Sequence, residues 1–221
     1  MKKEITSETV KGYGLAAGAS IVGIAASKDF GAAPDGFKPS DLLSDCLSVV
    51  VLGALFPKES LDNVALYTET RNAMLTKMTE TAKEVAKRIK SCGYSAKEIS
   101  ASGGKTIDSN HFGHISLKHA AELAGLGIIG RNYLLINPSY GNLLWLSAVL
   151  TDAELVPDQK LQYNICEDCN ICVESCPSGA LADYPAKFGK KECAKFFKIV
   201  DKKFQIQCFK CRTVCPYRFG I

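Results

Sequence analysis

Eight of the ten cysteines crowd between residues 166 and 215, and their spacing is the first chemistry the sequence offers. The run CEDCNICVESCP sets Cys166, Cys169 and Cys172 with two residues between each, then Cys176 after three more, followed at once by Pro177. A second run, CFKCRTVCP, repeats the ending with Cys208, Cys211, Cys215 and Pro216. Tightly spaced thiolates let one chain segment wrap three corners of an iron–sulfur cube. The longer step and the proline then turn the fourth sulfur toward a second cube. Structural zinc is the competing reading, but it favours two separated CxxC pairs or cysteine mixed with histidine. The spacing here points to iron.

This is the spacing of bacterial two-cluster ferredoxins, in which each half lends one ligand to the other. The second run has one cysteine too few. The missing ligand is Cys193, 15 residues upstream of Cys208 in KKECAKFF. One [4Fe-4S] cluster is then expected on Cys166, Cys169, Cys172 and Cys215, and the other on Cys193, Cys208, Cys211 and Cys176. Cys193 could instead be a structural thiol beside a three-cysteine cluster; the total of eight argues against that. Cys46 and Cys92 lie far from the runs and read as inert thiols. A small cysteine-rich domain with little core folds largely because its clusters bind, so its apo form is expected to be fragile.

The bulk numbers frame that site. A chain of 221 residues, 47% hydrophobic, can bury a real core. No apolar run approaches the ~18 residues of a membrane span. The start, MKKEITSETVKGYG, has two lysines but no apolar stretch behind them and no twin arginine. The expected location is the cytoplasm, where clustered cysteines do metal or redox work rather than form disulfides. Oxygen-sensitive clusters also suggest an anaerobic setting. From Lys187 to the end, ten Lys/Arg face two acids. Eight thiolates and two oxidised cores would bring the formal +4 close to neutral, so the basic tail reads mainly as compensation for buried clusters rather than as a nucleic-acid surface.

Other elements must position this tail. Residues 7–20 read as a helix capped by Ser7, IVGIAAS (21–27) as a buried strand, and LSVVVLGALF (47–56) as a second one. Between Thr70 and Ser91, Met74, Leu75, Met78, Ala82, Val85, Ala86 and Ile89 fall at helical spacing, with Gly93 as the stop. YSAKEIS suggests a third strand, and SLKHAAELAGLG a short helix. Two apolar runs around Pro138–Asn142 suggest a β-hairpin. The composition changes near residue 155, which divides the chain into 1–155 and 156–221.

The stretch KHAAELAGLGIIGRNYLLINPSYGNLLWLSAVLTD (118–152) resembles the epoxyqueuosine reductase family and, more distantly, the reductive dehalogenases. Members carry a similar Ala-Gly-Leu-Gly-x-Ile-Gly-(Lys/Arg)-Asn stretch, an Asn-Pro hairpin with a Tyr/Phe-Gly turn, and Leu-Thr-Asp. The early strands and the remote cysteine before CxxCxxxCP are also similar. The resemblance implies an α+β protein: a nitroreductase-like α/β domain (1–155) that binds cobalamin, followed by a bacterial-type ferredoxin module with two [4Fe-4S] clusters (156–221). It implies a corrinoid site drawing on Gly125, Gly127, Gly130, Asn132 and Tyr140. The three glycines permit close backbone approach to a large flat group, or equally serve helix termination and tight packing. Lys105 in SGGKT could pair with a corrinoid amide or a substrate anion, or be solvated.

Family members place an acidic proton donor about 14 residues before the Gly-Leu-Gly. That count reaches His111 here, with Asp108 three residues away. His111 is the first candidate acid and Asp108 the second; histidines in this loop could also serve only local hydrogen bonds. DSNHFG does not match the corrinoid-ligating Asp-x-His-x-x-Gly, so His111 is not assigned to cobalt. Epoxyqueuosine reductases end in helical repeats that hold tRNA, whereas this sequence stops five residues after Pro216. A small-molecule substrate is therefore expected in preference to tRNA. The expected electron donor is a ferredoxin or flavodoxin, and a homodimer is one way to cover exposed core. The alternative reading is an electron-transfer or activating protein that reduces a partner corrinoid protein and binds no corrinoid itself.

Overall fold

The computed structural model describes residues 2–102, 113–200 and 203–221. They form a mixed α/β chain of two compact units. Unit 1 comprises 1–55, 74–127 and 145–161; unit 2 comprises 56–73, 128–144 and 162–221. The compositional break near 155 is a different kind of division, because compactness draws the segments 56–73 and 128–144 into the cysteine-rich unit.

Unit 1 is built on a four-stranded sheet of order β1-β2-β6-β3. The strands are β1 (Ile21–Ala26), β2 (Ser48–Leu55), β3 (Ala96–Ile99) and β6 (Leu144–Thr151). β1 runs antiparallel to β2 with Ile24 opposite Val50, and β3 antiparallel to β6 with Glu98 opposite Val149. Val49, Val50, Val51 and Leu52 are all fully buried, as an unbroken β-branched and aliphatic run requires.

Helix α3 (Val64–Ser91) has Met74, Met78, Ala82, Val85, Ala86 and Ile89 buried along one face. It begins six residues before the expected start at Thr70. In those extra turns Tyr67 and Thr68 are buried within unit 2. Gly93 ends the helix at φ +88°, a left-handed conformation that costs glycine little.

Two expectations are corrected. Helix α1 spans Ser7–Ala16 and is capped by Thr6, whose Oγ1 accepts from the Thr9 N–H at 3.2 Å. Ser7 is the first helical residue, and its hydroxyl donates instead to the Val156 carbonyl at 3.1 Å. The two apolar runs around Pro138–Asn142 also do not pair with each other. β5 (Leu135–Ile136) pairs with β4 (Ile128–Ile129), while β6 joins the main sheet. An Asn137–Gly141 bridge closes the loop between them.

The remaining elements are short. They are α2 (Pro39–Leu42), α4 (Leu117–Leu123), α5 (Ile171–Glu174), α6 (Lys190–Ala194), the hairpin β7 (Phe197–Val200) with β8 (Lys203–Ile206), and α7 (Lys210–Thr213). The last five carry or connect the cysteines of unit 2. Among the described residues no helix is long and apolar enough to cross a membrane.

Candidate metal centre

Unit 2 gathers the cysteines on turns rather than on long elements. The first run places Cys166 and Cys169 before α5 and Cys172 inside it; the second places Cys211 in α7 and Cys215 just after it. Single helical turns are what closely spaced ligands with a following proline permit. Cys166, Cys169, Cys172 and Cys215 line one cavity, together with Arg131, Asn132, Ile136, Ile165, Pro216 and Tyr217. Burial pushes the Cys172 thiol up to about 11, and the nearby Cys166, Cys215 and Cys169 add to that rise. Burial likewise raises Cys215, against hydrogen bonds from the Tyr217 backbone and the Asn142 side chain.

A second neighbourhood forms around Cys211. Its thiol is pushed up to about 12 by burial; the Arg212 charge opposes the rise, while Cys193, Cys208 and Cys176 reinforce it. Cys176 goes the other way. Burial alone would raise it, but the Ser178 hydroxyl and the backbone N–H groups of Ser178, Ala180 and Leu181 hold it below the ordinary thiol value. The ten cysteines form no disulfide. Among the described residues no three or more His, Cys, Asp or Glu side chains could hold a metal ion. Lone zinc needs sulfurs about 3.8 Å apart, given Zn–S bonds of about 2.3 Å, whereas a cube carries its ligands on its outer corners. A donor set of thiols alone, two groups of four, suits iron–sulfur clusters.

The segment 128–144 of the same unit grips both ligand runs. The Arg131 guanidinium donates to the Glu167 carbonyl at 2.9 Å and to the Asn170 side-chain oxygen, holding the first run. Asn132 donates to the Cys211 carbonyl at 3.3 Å and accepts from the Leu134 N–H at 3.0 Å. Asn142 donates to the Arg212 carbonyl at 3.1 Å, and the buried Arg212 guanidinium donates back to the Asn142 carbonyl. Gly141 sits at φ +55°, where an added Cβ would lie 2.2 Å from the Arg218 carbonyl, so only glycine lets the two backbones meet. Tyr67 stacks on Phe209 with centroids 4.1 Å apart, bracing the start of the last run.

The residues expected at a corrinoid are placed as follows. Asn132 is buried and engaged with the Cys211 loop. The Tyr140 N–H donates to Asn137 Oδ1 at 3.0 Å inside its own turn. Gly130 packs on Ile136, whose Cδ1 would lie 2.5 Å from an added Cβ. In unit 1, Gly125 (φ +69°) lies against the Gln159 carbonyl, 2.4 Å from where its Cβ would be, and Gly127 is buried. At Gly125 and Gly130 the close approach is to the chain itself. Lys105, Asp108 and His111 lie outside the described residues. Unit 1 also holds a cavity of about 520 Å³ between the end of β1 and the Glu154–Pro157 segment, with Lys28, Lys38 and the buried Cys46 on its wall.

Arg131, Asn142 and Arg212 are the site residues that spacing arguments miss. A loop asparagine or a lone arginine carries no periodic signal, and its use appears only when two distant segments meet.

The mixed α/β fold is shared with solved epoxyqueuosine reductases and reductive dehalogenases. A solved epoxyqueuosine reductase from Streptococcus thermophilus superposes at TM-score 0.68 over 96% of this chain and 66% of its own, at 19% identity. A catabolic reductive dehalogenase superposes at TM-score 0.74 over 97% of this chain and 32% of its own, at 21% identity. Another reductive dehalogenase, described as acting in B12-dependent dehalogenation, superposes at 0.66 over 95% of this chain and 31% of its own, at 20% identity. An epoxyqueuosine reductase solved with a tRNA stem loop superposes at 0.67 over 96% of this chain and 65% of its own, at 20% identity.

Curated homologues of this chain are epoxyqueuosine reductases. Those of Listeria monocytogenes and Staphylococcus aureus are each 34% identical, over 119 and 122 residues, 49% of this chain. The match spans only 31% of the length of each relative. No family model matches the chain.

Proposed function

We propose that this chain is an iron–sulfur oxidoreductase in which two [4Fe-4S] clusters pass electrons, one at a time, to a corrinoid. The observation that carries the reading is the gathering of Cys166, Cys169, Cys172 and Cys215 around one cavity. The relatives being epoxyqueuosine reductases supports it. The first cluster takes those four thiols; the second takes Cys211 and the three thiols that lie close enough to raise it, Cys176, Cys193 and Cys208. In this reading residues 156–221 act as a ferredoxin-type module, and 1–155 as a nitroreductase-like partner domain.

The protein's own contribution is to fix the ligand loops and exclude water. Arg131 pins the first run at Glu167, and Asn132 and Asn142 pin the last at Cys211 and Arg212. A bound corrinoid supplies a strongly reducing cobalt centre, the chemistry that a cofactor brings and a protein only tunes. His111 is proposed as the proton donor, with Asp108 second and Lys105 as an anion contact. The donor of electrons is proposed to be a ferredoxin or flavodoxin.

Two substrate classes stand: a small molecule, or a modified tRNA base, as the stem-loop complex of a relative suggests. The preference against tRNA rested on where the sequence stops. That decides nothing when the match spans 31% of longer relatives. The second reading, an electron-transfer protein without its own corrinoid, is favoured by one observation. The close approaches offered by Gly125 and Gly130 are filled by the chain.

One experiment separates the two. The chain is purified without oxygen, its clusters reconstituted, and cob(II)alamin added while the EPR spectrum is recorded. A base-off cobalt signal that grows with protein supports the corrinoid reading. No spectral change at saturating protein sinks it and leaves the electron carrier. Multiple turnover on an epoxyqueuosine-containing stem loop, lost in His111→Gln, would assign both substrate class and proton donor.

A further inference from the structure

The β7–β8 hairpin is the link between two proposed ligands of the second cluster. Cys193 stands four positions before β7 begins at Phe197, and Cys208 two positions after β8 ends at Ile206. Its base is closed beside both: the Phe196 N–H donates to the Cys193 carbonyl at 3.1 Å, and the Gln207 N–H to the Phe196 carbonyl at 2.7 Å. Every residue of β7 is exposed. Three of its four side chains are apolar: Phe197 is 40% exposed, Ile199 69% and Val200 38%. Lys191, Lys195, Lys198 and Lys210, near them in sequence, are also exposed, and Lys195 pairs with the exposed Glu192. Between Lys187 and Lys210 the sequence has eight lysines, two acids and no arginine.

Exposed apolar side chains on a segment with a strong excess of positive charge are features of a protein-docking face. The excess of lysine over acid selects an acidic partner and steers its approach. We propose that this hairpin docks a small acidic one-electron carrier protein, and that electrons enter the chain through the second cluster. The proposal rests on the two-cluster reading above. The step balances simply: the carrier is oxidised by one electron, the cluster held by Cys176, Cys193, Cys208 and Cys211 is reduced by one, and no proton or bond changes hands.

RNA is the other class of partner a basic face could take, and the residue types disfavour it. Single-stranded RNA is held by stacking on flat side chains and by arginine. Of the three exposed apolar side chains only Phe197 offers a plane, and the segment from Lys187 to Lys210 has no arginine.

The test uses the full chain with both clusters reconstituted under nitrogen, and reduced plant-type ferredoxin as the acidic probe. Stopped-flow absorbance follows cluster reduction. For the unaltered chain the second-order rate should fall as salt is added. Lys195→Glu combined with Lys198→Glu, and separately Ile199→Asp, should slow it about tenfold or more at low salt. Titanium(III) citrate, a small reductant, should reduce all three proteins equally fast. Equal rates with ferredoxin across the three overturn the dock. So does an undisturbed ferredoxin rate in variants that no longer shift a tRNA stem loop on a gel, which would make the hairpin an RNA face. A chain that takes up no four-iron clusters overturns the underlying reading, and the dock with it, and iron analysis distinguishes that result from failure of the dock alone.

Discussion

A guanidinium held at 5% exposure beside Cys211 is costly unless its donors are met. Arg212 meets them at the Asn142 carbonyl and lies 5.8 Å from the centre of the Phe56 ring. Arg212→Gln should therefore cost about 1–3 kcal/mol in urea unfolding, the penalty of a buried carbonyl losing its donor. With clusters in place the same change should also lower the midpoint potential of one of the two, because a nearby positive charge favours the more negative reduced state. EPR-monitored redox titration reads this, and two unmoved midpoints would make Arg212 purely structural. Cys46 gives a second prediction. Its thiol donates to the Ser48 carbonyl at 3.4 Å, and burial raises it above its ordinary 9.0 despite hydrogen bonds that lower it. The unfolded thiol then ionises before the folded one. Its contribution to stability is complete below about pH 9 and is lost as pH climbs through the raised value. Alkylation followed by mass spectrometry should accordingly find Cys46 inert at pH 8 and open only at higher pH or on unfolding.

Among the elements, α3 carries the clearest energetics. Ile89 and Met78 are fully buried on its apolar stripe, so Ile89→Ala or Met78→Ala should each cost about 2–5 kcal/mol of stability. Thr6→Ala, which removes the α1 cap, should cost about 0.5–2 kcal/mol, whereas Ser7→Ala loses only a single side-chain contact. Both are read by thermal or urea unfolding, and a larger loss for Ser7 would reverse the assignment of the cap. The apolar stripe of α3, the valine run of β2 and the stop at Gly93 were legible because period and glycine chemistry are local. The partner of Leu135–Ile136 was not. A two-residue strand pairs equally well with any neighbouring apolar stretch, and contacts elsewhere sent it to Ile128–Ile129.

At the scale of the whole molecule, folding and metal are expected to be coupled. Ligand runs on single turns have little regular structure of their own, so cluster loading should raise the melting temperature, and a chelator with air should lower it again. Iron content should approach eight per chain, from two four-iron clusters, and Cys193→Ser should drop it toward four. If Cys193→Ser keeps two intact clusters, the remote cysteine is not a ligand. The sequence by itself supplied the proposed donor set, eight cysteines whose spacing points to iron–sulfur chemistry, because spacing along a chain is a local quantity. It also determined the buried strands and the long helix, through periodicity. Only the tertiary structure decided that the glycines at 125 and 130 are filled by the chain's own atoms, and that Arg131, Asn132 and Asn142 hold the ligand loops. Those contacts join residues 36 to 79 positions apart. No propensity or period connects such positions until the backbone brings them within hydrogen-bond reach.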